Sequence, residues 1–229
     1  MVGIVKLLKA RAIVLSGIDG SGKSTHARKL AQELEHQGKP VRYLWMRGYG
    51  RTLLSFPLLV LCRILKITEV KTLKNGIKVS LYKFYEHKPL RFLWPWLQFV
   101  DSLLFSILLV YRPLLFSKDV IILDRSVIDT LVDVIADTHA PIAFQSFQRF
   151  LLALLPKNSL VVIFDVREEI AMVRKKDVLC VEYLTSRRGL YKHLAAGYGW
   201  RLAATEEKFE ITHKIFAPIM DQDLRVGRL

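Results

Sequence analysis

Short apolar runs alternate with amphipathic segments along much of the chain. Four short runs are largely apolar, as in parallel strands buried on both faces of a sheet; they cover residues 12–16, 41–46, 120–123 and 160–164. Between the first two runs, apolar residues recur at helical spacing and predict a helix over residues 23–37; they are Ala27, Leu30, Ala31 and Leu34. This forms one βαβ unit. The pattern predicts a doubly wound, three-layer α/β fold.

Residues 52–117 have a different pattern. They are rich in Leu, Phe and Trp, and their mostly helical pattern is expected to break at prolines 57, 89, 95 and 113. We interpret this region as helices that cap and flank the sheet between its second and third strands. Near the end, a fifth strand is predicted around residues 199–203, and a final helix from Thr205 to about Met220. The length predicts a single domain over residues 1–229.

Composition narrows the class of protein. The chain has 229 residues with 35 Lys and Arg against 21 Asp and Glu, a net charge of +14. Because the excess is spread along the chain without a nucleic-acid motif, a nucleic-acid partner is not expected. The two cysteines, Cys62 and Cys180, cannot form a disulfide framework, and a reduced, cytoplasmic protein is the expectation. Uncharged runs such as residues 102–111 are shorter than the ~18–20 residues that span a bilayer.

One motif carries specific chemistry. Residues 17–24, of sequence GIDGSGKS, match GxxxxGK[ST] directly after the first strand and at the start of the first helix. Backbone N–H groups of such a loop wrap a β-phosphate, and the helix N-terminus adds its dipole. Lys23 is expected to reach the β- and γ-phosphates, and the Ser24 hydroxyl to bind Mg²⁺. The predicted Mg·ATP site comprises Gly17, Asp19, Gly20, Ser21, Gly22, Lys23, Ser24 and Thr25.

A second signal lies at the end of the third strand, where Asp124 precedes Arg125. A carboxylate at this place is expected to hold Mg²⁺ through a bound water molecule. Arg125 stands where many ATPases have the Glu that activates water, and no NKxD triplet for guanine recognition occurs. Both absences count against motor-type ATPases and switch GTPases. Arg125 instead offers a bidentate fork for a second phosphate group.

These residues resemble the thymidylate kinase family. Its loop pattern GxDGxGKST matches residues 17–25, and its DRY strand end matches Asp124 and Arg125, with Ser126 in place of the tyrosine. The resemblance implies a P-loop NTPase fold with a five-stranded parallel sheet. It also implies transfer of the ATP γ-phosphoryl group to a deoxynucleoside monophosphate, foremost dTMP to dTDP. Asp19 would then lie near the acceptor's sugar hydroxyl, and Arg125 would bind the acceptor phosphate.

The resemblance extends to the acceptor side and to a lid. Arg47 opens the segment that corresponds to the family's REPGGT, so it is expected to help bind the acceptor. Phe99 lies in a segment similar to FAADR and is a candidate to stack on the base, as are Trp96 and Tyr85.

A lid is expected at about residues 170–190. Because Gly20 places no side-chain cation over the transferring group, a lid residue would supply it and would exclude water on closing. Arg174 is the first candidate, with Lys175 and Arg187 as alternatives. The predicted catalytic residues are thus Lys23, Arg174 and Asp124.

Departures from the family pattern leave the chemical identity of the phosphoryl acceptor undecided. The arginine of FAADR is Ser102 here, and the Glu and Pro of REPGGT and the tyrosine of DRY are absent. A kinase that acts on a sugar or a lipid-linked molecule is the alternative. A nucleotide-binding protein without kinase activity is a second alternative.

Two further patterns have two interpretations each. Asp129, Asp133 and Asp137 recur every four residues, so either they face solvent or one of them holds an acceptor hydroxyl or a metal. The Leu-rich residues 53–65 and 103–116 are interpreted as core helices with a homodimer face. The alternative is an apolar acceptor site or a peripheral membrane contact. The membrane contact is not favoured.

Overall fold

The computed structural model describes residues 11–46, 53–72, 76, 78–82, 84–139, 145–175 and 180–206. The strands are β1 (Ala12–Gly17), β2 (Val41–Trp45), β3 (Thr68–Thr72), β4 (Lys78–Tyr82), β5 (Val120–Asp124), β6 (Leu160–Asp165) and β7 (Arg201–Ala204). The helices are α1 (Lys23–His36), α2 (Ser55–Ile64), α3 (Lys88–Phe105), α4 (Arg112–Phe116), α5 (Val127–Thr138), α6 (Gln145–Leu152), α7 (Glu168–Arg174) and α8 (Val181–Tyr198).

Five strands form one parallel sheet in the order β2-β5-β1-β6-β7. Two hydrophobic clusters cover its faces because β1 alternates its side chains. Ile13 and Leu15 pack with Leu30 of α1, whereas Val14 packs on the other face with residues of α5 and α8. The predicted three-layer α/β fold with a five-stranded parallel sheet is confirmed. The predicted fifth strand is β7.

The region predicted to be mostly helical also contains a hairpin. Strands β3 and β4 pair antiparallel, with Thr68 opposite Tyr82 and Thr72 opposite Lys78. The sequence prediction missed this hairpin because β3, with the sequence TEVKT, is polar and largely exposed and so lacks the apolar run of a buried strand.

The prolines at 95 and 113 do not break the helical region as predicted. One helix runs for 29 residues from Lys88 to Phe116, through α3, a π-helical segment (Ser106–Tyr111) and α4. Pro113 follows the wide π turn and lies in the first turn of α4, where a missing N–H costs little. Pro95 lies inside α3 and removes only one backbone donor.

This 29-residue helix is long and apolar enough to cross a membrane by length and composition, and it is the one such helix among the described residues. Asp101 and Arg112, which bound the uncharged run of residues 102–111, therefore lie within the apolar helix and do not end it. Core helices of soluble proteins pass the same test, but only 28% of this helix's apolar window is buried. The predicted final helix lies outside the described residues beyond Glu206, and the single domain stays a prediction.

Candidate active site

The glycine-rich loop lies between the end of β1 and the start of α1. Gly17 has a φ of 145°, and a Cβ atom there would lie 2.5 Å from the carbonyl oxygen of Phe164 in β6. Gly20 has a φ of 81°, and a Cβ atom there would lie 2.5 Å from the carbonyl oxygen of Ala171 in α7. Both positions therefore accept only glycine. The loop packs directly against the segment that the sequence predicts to be the lid.

Lys23 is buried at the first position of α1. Its Nζ donates a hydrogen bond to the carbonyl oxygen of Ile18, 2.8 Å away. Burial, together with the nearby charge of Arg125, lowers the pKa of Lys23 to about 7. The ammonium group is thus held inside the loop without a fully compensating anion, which is an arrangement that favours an incoming phosphate.

Asp124 ends β5, directly beside Leu15 of β1 in the sheet. Its Oδ2 accepts a hydrogen bond from the Tyr43 hydroxyl at 2.6 Å, and burial together with this bond raises the pKa of Tyr43 to about 12. Its Oδ1 is buried with no protein partner among the described residues. The adjacent strand ends bring this carboxylate to the edge of the sheet from which the phosphate loop starts.

These residues fit Mg²⁺. A buried carboxylate oxygen without a protein partner needs a cation or water. Ser24 is partly exposed in the first turn of α1 and supplies a hydroxyl, whereas Thr25 is exposed. The described residues contain no group of three His, Cys, Asp or Glu side chains that could hold a metal alone. Mg²⁺ is commonly bound by one or two protein ligands together with phosphates and water.

Arg125 is buried beside the loop. One guanidinium nitrogen lies 2.5 Å from Asp19 Oδ1 in the loop, and the other lies 3.3 Å from Asp129 Oδ1 in α5. Burial opposes its charge, but the two carboxylates outweigh burial and raise the pKa of Arg125. Its backbone has a φ of 72°, and its N–H donates to the carbonyl oxygen of Leu15. The structure thus fixes a guanidinium at the same strand end as Asp124.

Asp129 is 2% exposed, so the solvent-facing interpretation is wrong for this residue. Its Oδ2 accepts hydrogen bonds from the Ser16 hydroxyl at 2.6 Å and the Ser126 N–H at 2.9 Å. Its Oδ1 accepts one from the Tyr191 hydroxyl at 2.7 Å. The bond to Ser126 belongs to a capping box at the start of α5. The S-x-x-D spacing of residues 126–129 is the sequence signal that could have placed Asp129 there.

Asp133 and Asp137 both form ion pairs with one arginine of α8, and their side chains are largely buried. Arg187 donates to Asp133 at 2.9 Å and to Asp137 at 3.0 Å, and its guanidinium lies 3.7 Å from the centre of the Tyr183 ring. The repeated aspartates therefore connect α5 to the loop through Arg125 and to α8 through Arg187. The sequence pattern could not show which cations they meet.

The predicted lid places two neighbouring cations in different surroundings. Lys175 Nζ lies 2.8 Å from Asp19 Oδ1, so this lysine joins the loop. Arg174 is exposed, and its guanidinium lies 3.5 Å from the carbonyl oxygen of Glu206 beyond β7. In this arrangement Lys175, rather than Arg174, contacts the phosphate loop. The catalytic role of Arg174 stays a prediction.

On the acceptor side, Phe99 belongs to an aromatic cluster. Its ring centre lies 6.2 Å from that of Trp96 and 6.3 Å from that of Phe150 in α6. Tyr85 stacks on His139 at 4.0 Å. These contacts show a packing role, and base stacking by either residue stays a prediction. Arg47 lies outside the described residues.

Asp101 and Ser102, where the family pattern has Asp and Arg, are both buried. Asp101 accepts hydrogen bonds from the Leu54 and Ser55 N–H groups at 3.0 and 2.9 Å, and from the Ser55 hydroxyl. It thereby caps the N-terminus of α2. A cavity nearby, beside the end of β5, is lined mostly by apolar side chains, among them Met46, Val127 and Leu154.

The strand order and the phosphate loop at the carboxyl end of the central strand together define a P-loop NTPase fold. The structure is similar to the crystal structure of thymidylate kinase from Ehrlichia chaffeensis, with a TM-score of 0.56 and 16% sequence identity over 93% of this chain and 99% of that chain. No protein-family model matches the sequence, and no curated protein matches it. At this identity the similarity shows the fold alone.

Proposed function

We propose that this chain is a kinase that transfers the γ-phosphoryl group of ATP to a nucleoside monophosphate, with dTMP as the foremost acceptor. The observation that carries the proposal is the ion pair between Arg125 and Asp19. It fixes a buried guanidinium beside the phosphate loop, at the position where a hydrolytic ATPase needs a water-activating carboxylate. A guanidinium there would bind a second phosphate, and it takes the place of the carboxylate that activates water in those ATPases.

The donor side consists of the loop and its two neighbours. The loop N–H groups and Lys23 would bind the β- and γ-phosphates, and the phosphate charge would replace the Ile18 carbonyl oxygen as the partner of Nζ. Ser24 and, through water, Asp124 would hold Mg²⁺. When bound, this ion neutralises charge on the β- and γ-phosphate oxygens.

The acceptor side requires binding and orientation rather than a general base. An acceptor phosphate oxygen is already anionic near neutral pH, so it can attack the γ-phosphorus in line without losing a proton. Arg125, with Arg47 as its predicted partner, would orient that oxygen. Asp19 fixes the fork of Arg125 and would accept from an acceptor hydroxyl.

The segment after β6 would close the site. Lys175 already contacts Asp19, and the transferring phosphoryl group would pass beside this pair. A cation there stabilises charge in the transition state, and a closed lid limits hydrolysis by water. A homodimer and a cytoplasmic location are further parts of this proposal that rest on the sequence alone.

The test is ADP production with Mg·ATP across a panel of nucleoside monophosphates that includes dTMP and dUMP, against a blank without acceptor. We expect stimulation by dTMP above the other nucleotides, and loss of turnover in Lys23→Ala. Lys29→Ala is the matched control because Lys29 lies on the same helix but is exposed and pairs only loosely with Glu33 at 4.0 Å. ATP binding without stimulation by any acceptor would support a non-catalytic nucleotide-binding protein.

A second candidate is a kinase for a sugar or lipid-linked acceptor. The burial of Asp101 and Ser102 favours it, because both residues lie in helix packing at the place where the family pattern has its base-contacting arginine. Stimulation by a polyprenyl phosphate or a sugar phosphate, with none by nucleotides, would select this candidate.

A further inference from the structure

The helix from Lys88 to Phe116 has an inverted distribution of polarity. Its buried face carries four polar residues, Gln98, Asp101, Ser102 and Ser106. All exposed residues between positions 90 and 111 are apolar: Phe92, Leu93, Trp96, Val100, Leu104, Ile107, Leu108 and Leu109. A helix that faces water normally shows the opposite pattern, with its apolar stripe toward the core.

Helix α2 extends the same surface. It is fixed to α3 through Ser55, whose hydroxyl donates to Asp101 and accepts from Gln98 Nε2 at 2.7 Å. Its exposed side chains are again largely apolar: Phe56, Val60, Leu61 and Ile64. We call the exposed apolar residues of 53–65 and 92–116 the apolar face. A surface of this extent marks a site of association.

Basic residues outnumber acidic residues in the part of the chain that carries the apolar face. Residues 53–118 contain ten Lys and Arg but only three Asp and Glu, and one of the three, Asp101, is fully buried. Exposed basic residues stand at the ends of the helices: Arg63 and Lys66 near the end of α2, Lys88 at the start of α3, and Arg112 and Lys118 around α4. Long basic side chains at such ends reach lipid headgroups while the apolar residues enter the acyl boundary.

We propose that the apolar face docks this protein on an anionic lipid bilayer, with the helix lying in the plane of the membrane. The helix does not cross the membrane in this arrangement. Trp94 is fully buried and its ring centre lies 4.7 Å from that of Phe84, so one side of the helix is committed to the protein core. An amphipathic helix with a basic rim binds in plane through buried apolar area and attraction to anionic lipid.

A second copy of this chain is the competing occupant, and it agrees with the homodimer predicted from the sequence. A two-fold interface places the same patch on both subunits. In such a dimer the basic residues at the helix ends would face and repel those of the second copy, whereas an anionic surface would attract them. The docking does not depend on the proposed kinase activity, because it is measured without ATP or an acceptor.

The experiment is co-sedimentation of the full chain with phosphatidylcholine vesicles, with and without phosphatidylserine, at low and high salt. We expect binding to the anionic vesicles, weakened by salt. The double variant Phe92→Ser with Phe116→Ser, at side chains 69% and 82% exposed, should reduce partitioning by roughly tenfold or more. Val173→Ser is the matched control, since Val173 is 80% exposed on α7, outside the apolar face.

Two results would overturn the proposal. One is wild-type protein that stays in the supernatant with anionic vesicles, and the other is a double variant that binds as well as the wild type. Sedimentation velocity without lipid identifies the competing occupant. A dimer that the double variant dissociates, together with an absence of vesicle binding, would assign the apolar face to a second copy.

Discussion

Asp19 in the phosphate loop and Lys175 at the end of α7 form an ion pair with an Oδ1–Nζ distance of 2.8 Å. The same carboxylate oxygen binds Arg125 of the β5 end. One aspartate therefore connects the loop, the predicted acceptor arginine and the predicted lid, three segments that are distant in sequence.

Lys175 is expected to contribute more to turnover than Arg174. Lys175→Ala should lower kcat by about 10²-fold, because a cation beside the transferring group stabilises the transition state. Arg174→Ala should have a smaller effect, since Arg174 is exposed and its guanidinium lies 3.5 Å from the carbonyl oxygen of Glu206, beyond β7. Steady-state kinetics of both variants decide this. A larger loss in Arg174→Ala would show that the lid rearranges and would restore the first choice made from the sequence.

Arg125→Lys should raise the acceptor KM by about tenfold or more while the KM for ATP changes little. Lysine keeps the charge but lacks the planar fork that binds a phosphate through two parallel hydrogen bonds. The control is Arg42→Lys, because Arg42 forms a surface ion pair with Asp119 at 3.2 Å. An acceptor KM that does not change in Arg125→Lys would remove this residue from the acceptor site.

The strands and the loop could be predicted because their signals are local. Strands β5 and β6 are buried on both faces, so each forms a continuous apolar run, and the loop from Gly17 to Thr25 is a contiguous motif. The hairpin of β3 and β4 was missed because β3, with the sequence TEVKT, is largely exposed and carries no such run. The break expected at Pro113 did not occur because a π segment, which proline sterics alone do not predict, precedes it.

The remainder of the site depends on contacts between distant residues. Tyr191 reaches Asp129 across 62 positions, and Lys175 reaches Asp19 across 156. No sequence spacing predicts either contact, because the residues approach each other only when the strands have assembled into the sheet. The capping-box spacing at Ser126 indicates that Asp129 caps the start of α5. It does not indicate that Tyr191 and Arg125 also bind this carboxylate.

Gly20→Ala should weaken ATP binding by at least about tenfold and leave the fold intact, because its Cβ would clash with the α7 backbone and displace the loop. Gly38→Ala is a matched control. Gly38 also has a positive φ, of 73°, but nothing lies within 4 Å of its added Cβ. Isothermal titration with ATP measures both variants. Equal affinities in the two variants would show that the contact between loop and α7 does not shape the site.

Asp101→Ala should destabilise the protein by about 2–4 kcal/mol without a direct effect on chemistry. The substitution leaves the part-buried Leu54 N–H, the buried Ser55 N–H and the Ser55 hydroxyl without their acceptor. Urea unfolding measures the free energy, and Lys29→Ala should change it by less than about 1 kcal/mol. A small effect of Asp101→Ala would mean that α2 finds another cap or contributes little to stability.

ATP binding should take up protons near pH 8. In the free protein the pKa of Lys23 is about 7, so its amine is mostly neutral there. A triphosphate beside Nζ favours the charged form and raises this pKa, so up to about one proton enters with each ATP. The uptake by Lys23 should vanish as the pH falls below about 6, where the amine is already protonated. Calorimetry in buffers of different ionisation enthalpy measures it. Lys23→Arg should bind ATP without this uptake, because arginine is charged throughout. Equal proton uptake by the wild type and Lys23→Arg would assign the proton to another group.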